Sequence, residues 1–132
     1  SDALIAELET ADAIVLSAPI FNFALPSALK AWIDQIVRIG QTFSYENGQF
    51  AALLADRPTY LALSYGAAGY APGGPLESYD FLRPYLTGVL NFIGLTLVEV
   101  FAVEGTTAPD ATERLNAALV EIDARVPVIQ VT

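Results

Sequence analysis

This 132-residue sequence predicts an α/β fold on a parallel sheet, and two observations lead there. Three short apolar runs, 13–18, 59–64 and 96–103, have the near-continuous hydrophobic character of buried strands. Four amphipathic segments lie around and between them, so the order reads α-β-α-β-α-β-α. Such alternation gives parallel pairing, right-handed crossovers and helices on both faces. Ligands of such sheets bind outside the carboxyl ends of the strands. The loops at that edge are 19–26, 64–75 and 104–108.

Taken in order, residues 2–10 form a helix, with Ser1 or Asp2 at its start and Leu4, Ile5 and Leu8 on one face. The run 13–18 is a strand buried on both faces, ended by Pro19. Ser27 caps a helix from 27 to 39, with Leu29, Trp32, Ile33, Ile36 and Val37 at helical spacing and Gly40 closing it. Phe43 and Tyr45 alternate ahead of Asn47-Gly48, a tight-turn signal for a small hairpin. The second strand follows Pro58, and a Gly/Ala/Pro-rich loop follows the strand. Residues 79–93 form a helix with Pro84 in its first turns and Gly94 beyond its end. After the third strand comes a helix over 109–126, with Leu115, Ala118, Leu119 and Ile122 on one side. Residues 1–126 read as part of one domain and 127–132 as a tail.

Composition narrows the chemistry. Hydrophobic residues make up 54% and charged residues 16%, against a usual charged share of about 25%. The surface is short of charge, as when a partner or a further segment covers part of it. A formal charge of -9 argues against nucleic acid or an anionic membrane as partner. With no Cys and no His, there is no thiol nucleophile, imidazole base or His-ligated metal, and no metal site is expected. The longest apolar region, 13–29, is interrupted by Pro19, Asn22 and Pro26, so no membrane span is expected. Residues 1–12 are acidic and lack the basic start of a secretion signal, which predicts a cytoplasmic protein.

At the first loop, Pro19-Ile20-Phe21-Asn22-Phe23, two aromatics flank an amide at a strand's carboxyl end. They form an apolar slot for a flat ring, or else two core plugs around a turn residue; composition does not choose between these. The second loop, Ser64-Tyr65-Gly66-Ala67, has neither a dinucleotide glycine pattern nor a P-loop Lys, though its small residues allow close backbone approach. Glu46, Glu77, Asp80, Glu99 and Glu104 read as solvated surface, and Lys30 likewise.

An ordered set of segments then carries a resemblance. It comprises Ala18-Pro19-Ile20-Phe21-Asn22-Phe23, Pro26–Asp34, Gly40–Gly48, Pro84-Tyr85-Leu86, Asn91-Phe92-Ile93-Gly94 and Ala102-Val103-Glu104-Gly105. The set resembles the FMN-dependent NADH-azoreductases, which are flavodoxin-like quinone reductases. The resemblance implies FMN at the carboxyl edge of a five-stranded sheet ordered 2-1-3-4-5, in a homodimer with its site at the subunit interface. Pro19, Ile20, Phe21, Asn22 and Phe23 would embrace the flavin ring. Ser64, Tyr65, Gly66 and Ala67 would approach its pyrimidine side, largely through backbone groups. Tyr45 and Phe92 would lie near the ring or the substrate cavity. The family's Ser-Arg-Gly-Gly is here Ser64-Tyr65-Gly66-Ala67, a departure at two positions. The family's first strand, phosphate-binding loop, first helix and second strand have no counterpart in this sequence. The three strands would then be the third to fifth, leaving the edge of 13–18 unpaired.

The implied activity is electron transfer from NADH or NADPH to a quinone or azo compound by a ping-pong hydride mechanism. No catalytic side chain is required, because a flavin carries the hydride chemistry itself. Asn22 and the Phe23 backbone are expected to stabilise negative charge on the reduced ring. The alternatives are a non-catalytic flavin-binding or electron-carrier module, or an inactive fragment of the reductase.

Overall fold

The computed structural model describes residues 1–127. Its elements are α1 (Asp2–Thr10), β1 (Ile14–Pro19), α2 (Ser27–Ile36), β2 (Phe43–Glu46), β3 (Gln49–Ala52), β4 (Thr59–Ser64), α3 (Arg83–Ile93), β5 (Leu97–Val103) and α4 (Ala111–Arg125). The central sheet has the order β1-β4-β5, and both pairings are parallel. Ile14 through Pro19 pair one-to-one with Thr59 through Ser64, so the carboxyl ends of β1 and β4 are level. A register shift between Thr59 and Tyr60 sets β5 against β4. β2 and β3 form the expected antiparallel hairpin around Asn47-Gly48, both at positive φ.

Strand alternation sorts the side chains into two faces. Ile14, Ala18, Leu61 and Leu63 meet Ile5 and Leu8 of α1, Ile33 and Ile36 of α2, and Leu86, Leu90 and Ile93 of α3. This is the core. The opposite face carries Ser17, Ala62, Ser64, Phe101 and Val103, which meet Leu115, Ala118, Leu119 and Ile122 of α4 across an apolar cavity of about 150 Å³. No residue of α4 is fully buried.

Five expectations are corrected. β1 is buried on one face only: Val15 is 63% exposed, because among the described residues nothing packs over it on the α4 side. An apolar run records burial potential, not whether a layer lies on top. α2 ends at Ile36 rather than 39. The buried Thr42 hydroxyl stops it, donating to the Ile36 carbonyl (2.7 Å) and accepting from Arg38 N–H (2.9 Å). Gly40, at φ +80, belongs to the turn that follows and not to the helix end. Pro26, not Ser27, occupies the cap position of α2, and Ser27 makes no capping bond. α3 starts at Arg83, not 79; a 3-10 turn over Glu77–Tyr79 precedes it. Pro84 does sit in its first turn and Gly94 does cap its end. Of the expected tail, residues 128–132 lie outside the described residues.

Candidate functional site

The carboxyl ends of β1, β4 and β5 run into three loops that meet. After β1, the Ile20 N–H continues the ladder to the Ser64 carbonyl (2.8 Å). The chain then reverses at Phe21–Ala24. Phe21 N–H donates to Ala24 O (2.9 Å) and Ala24 N–H to Phe21 O (3.0 Å). Asn22 and Phe23 both have positive φ, +47° and +67°. Asn tolerates that region, but an aromatic residue does not, and such a residue costs about 1–3 kcal/mol. The Phe23 carbonyl accepts the Phe81 N–H (2.9 Å), and its ring lies 5.3 Å from Tyr79. The reversal keeps Phe21 and Phe23 out of the core, 62% and 47% exposed. They are not core plugs. Among the described residues the N–H groups of Asn22 and Phe23 have no acceptor.

The second loop is braced from below. Tyr65 N–H donates to Val103 O (2.9 Å) and its carbonyl accepts Thr106 N–H (3.1 Å). Gly66 and Ala67 use their carbonyls in the same way, accepting from Thr107 N–H (3.2 Å) and Gly105 N–H (3.2 Å). Their own N–H groups stay free among the described residues. The Tyr65 ring is buried under the loop against Tyr70, and its hydroxyl donates to Asp80 Oδ2 at 2.8 Å. Burial, and then the Asp80 hydrogen bond, push the Tyr65 pKa well above the ordinary phenol value. Tyr65 is thus a protonated internal donor, and in this loop Gly66 and Ala67 offer backbone donors unclaimed among the described residues.

Two carboxylates expected on a solvated surface are instead structural. Asp80 is 8% exposed and also accepts the N–H groups of Leu82 (3.0 Å) and Arg83 (3.1 Å) through Oδ1, capping α3. Glu104 Oε1 accepts three consecutive N–H groups, those of Gly69 (3.1 Å), Tyr70 (2.5 Å) and Ala71 (3.1 Å). The long Gly/Pro loop is therefore pinned. The available signal was an acidic residue just ahead of an Arg-Pro helix start for Asp80; nothing local marks Glu104. Tyr79 and Phe81, both exposed beside Phe23, extend the aromatic edge, and no motif in the sequence marks them.

Tyr45 and Phe92 stand elsewhere. Tyr45 packs on Phe50 (4.7 Å), and Phe92 packs on Phe43 (5.0 Å) and Phe50 (5.4 Å). This cluster joins the hairpin to the last turn of α3, at the amino end of the sheet. The eleven residues of α3 separate that end from the carboxyl-edge loops by about 16 Å. Within one chain, Tyr45 and Phe92 do not join the other candidates. Among the described residues no three His, Cys, Asp or Glu side chains could share a metal ion, and no helix is long and apolar enough to cross a membrane.

Known proteins were compared with this chain. An FMN-dependent NADH:quinone oxidoreductase of Xanthobacter autotrophicus is 52% identical over 100 residues, 76% of this chain and 48% of its own length. One from Beijerinckia indica is 41% identical over 126 residues, covering 92% of this chain and 61% of its own length. The crystal structure of an FMN-dependent NADH-azoreductase from Bacillus anthracis in complex with FMN superposes with a TM-score of 0.83 at 27% identity. It covers 93% of this chain and 58% of its own. The chain thus spans about half to three-fifths of the length of these relatives. The sequence pattern of the flavodoxin-like fold matches residues 1–126, and the chain belongs to that family.

Proposed function

We propose that this chain forms the carboxyl-edge part of an FMN-dependent oxidoreductase that moves electrons from NADH or NADPH to quinones or azo compounds. The observation that carries the reading is the Phe21–Ala24 reversal. It holds two aromatic rings outward and two N–H groups unclaimed among the described residues, at a strained geometry that packing alone does not need. A flat ring with carbonyl and ring-nitrogen acceptors fits that set. Phe21 and Phe23 would flank it, while Pro19 and Ile20 would wall it. The Asn22 amide and the N–H groups of Asn22, Phe23, Gly66 and Ala67 would donate to its polar edge. Ser64, level with Pro19 in the sheet register, would close the far side, with Tyr65 beneath. FMN, when bound, would supply the two-electron chemistry of a ping-pong transfer from the nicotinamide to the acceptor. Fixed N–H dipoles aimed at developing negative charge contribute without reorganisation.

We further propose a homodimer. Tyr45, Phe50 and Phe92 expose an aromatic patch at one end of the chain, and Phe21, Phe23, Tyr79 and Phe81 expose another at the opposite end. A second copy laying its hairpin across the carboxyl edge brings Tyr45 and Phe92 to the proposed flavin and encloses a small-substrate cavity. Its nicotinamide donor suits a cytoplasmic setting.

FMN titration by flavin fluorescence tests the site. Asn22→Gly keeps the left-handed backbone and deletes only the amide, so FMN affinity falls about tenfold. Asn22→Ala falls further, because Ala at φ +47 also strains the turn. Affinity unchanged in both removes Asn22 from the site. For the homodimer, Phe50→Asp should shift sedimentation from dimer to monomer; a wild-type chain that sediments as a monomer at all concentrations refutes it.

A further inference from the structure

We infer that Asp80 is a positioning residue which, through the segment Tyr79-Asp80-Phe81, sets the geometry of both loops at the carboxyl edge. The inference rests on the flavin reading for its functional consequence, but its structural content does not. Asp80 stands between two independent connections. On one side its Oδ2 accepts the Tyr65 hydroxyl, tying the segment to the floor of the Gly66-Ala67 loop. On the other, the residues flanking it hold the Phe21–Ala24 reversal: Phe81 N–H on the Phe23 carbonyl and the Tyr79 ring against the Phe23 ring. Asp80 Oδ1 meanwhile anchors the segment to the first turn of α3 through Leu82 and Arg83 N–H. One buried carboxylate thus spends both oxygens fixing a segment that touches both loops.

Phe23 makes this more than a helix cap. A Phe at φ +67 persists only where surrounding contacts over-determine it. The contacts seen on Phe23 beyond its own turn are the two from Tyr79 and Phe81. A segment free to move would let Phe23 relax and would take its unclaimed N–H away from the edge. Of the residues proposed for the flavin site, Asp80 is bonded to Tyr65 alone, beneath the loop, and it acts on Phe23 through its neighbours Tyr79 and Phe81.

Amide hydrogen exchange, read segment by segment without ligand and paired with an FMN titration, tests this. Asp80→Ala should raise exchange about tenfold in 21–24 and in 64–71 together and weaken FMN binding by a similar factor. Asp80→Asn keeps a carbonyl acceptor for the α3 N–H groups and should restore protection at 21–24. Tyr65→Phe removes only the hydroxyl and should raise exchange in 64–71 alone. An increase confined to residues 82–86 in Asp80→Ala, with both loops as in wild type, marks a plain helix cap and overturns the inference. Should Asp80→Ala not fold, Tyr65→Phe decides: unchanged exchange across 64–71 overturns it equally. This exchange pattern across the variants, together with a wild-type chain that binds no FMN, refutes the flavin reading and leaves the positioning role standing.

Discussion

Leu90→Ala should lower the unfolding free energy by about 2–5 kcal/mol. Leu90 is 0% exposed and sits mid-helix between Leu86 and Ile93, which are equally buried. All three belong to the cluster that joins α1, α2 and α3 to the sheet. Tight packing around Leu90 prevents collapse into the space an alanine would leave, so the cavity penalty adds to the lost transfer energy. The midpoint in a thermal scan should fall on the order of 10 °C. Leu115→Ala on α4 is the internal control. Leu115 is 49% exposed and borders an open cavity, so its loss should stay below about 1 kcal/mol. Urea unfolding of the two variants beside wild type gives the comparison. Equal losses would mean that the α4 face is as tightly closed as the core face, contrary to the packing seen.

The element order is legible because each strand of the parallel sheet is a compact apolar run bounded by Pro or polar residues, the hairpin is marked by Asn47-Gly48, and each helix shows a clear stripe. The boundaries that differ from the sequence reading depend on contacts beyond the local window. α2 stops where Thr42, six residues past Ile36, folds back to take its last carbonyl. α3 starts late because Asp80 turns its side chain to the helix N–H groups and to Tyr65, fifteen residues away. Val15 is indistinguishable in sequence from a strand residue covered on both sides; only the layer count reveals its exposure.

The site divides along the same line. Phe21, Asn22 and Phe23 could be named because they follow a strand directly, and a strand's carboxyl end is where this architecture places ligands. Their positive φ values, and the burial of Tyr65 away from the edge, were not readable. Glu104 lies thirty-five residues from Gly69, and no local pattern announces that its carboxylate will collect three N–H groups. Tyr45 and Phe92 were grouped with the flavin residues by resemblance, whereas the topology sets them at the far end of α3. The two placements agree only across a pair of chains, so the sedimentation experiment bears on the site as well as on assembly.

Gly94→Ala should destabilise the chain by about 3 kcal/mol or more, from two separate causes. The first is conformational. Gly94 ends α3 at φ +111, with its N–H on Asn91 O (3.1 Å) and Leu95 N–H reaching back to Leu90 O (2.9 Å). That is the glycine-dependent arrangement that satisfies a helix's last carbonyls, and the fully buried Leu95 and Leu90 sit at its two ends. The second is steric. A Cβ at Gly94 would stand 2.6 Å from the Leu54 carbonyl oxygen, which is backbone and cannot rotate aside. Leu54 N–H is itself bonded to Ile93 O (3.2 Å), so relieving the contact means moving the segment that leads from β3 to β4. By contrast, Gly88→Ala meets nothing within 4 Å inside the same helix and should stabilise α3 by about 0.5–1 kcal/mol. Paired thermal scans therefore predict opposite signs for one substitution at two glycines six residues apart. The consequence of Gly94→Ala reaches the aromatic hairpin as well, because Phe92 precedes the cap and packs on Phe43 and Phe50. A chain that tolerates Gly94→Ala in stability but loses self-association would separate the cap's role in folding from its role in presenting that aromatic patch.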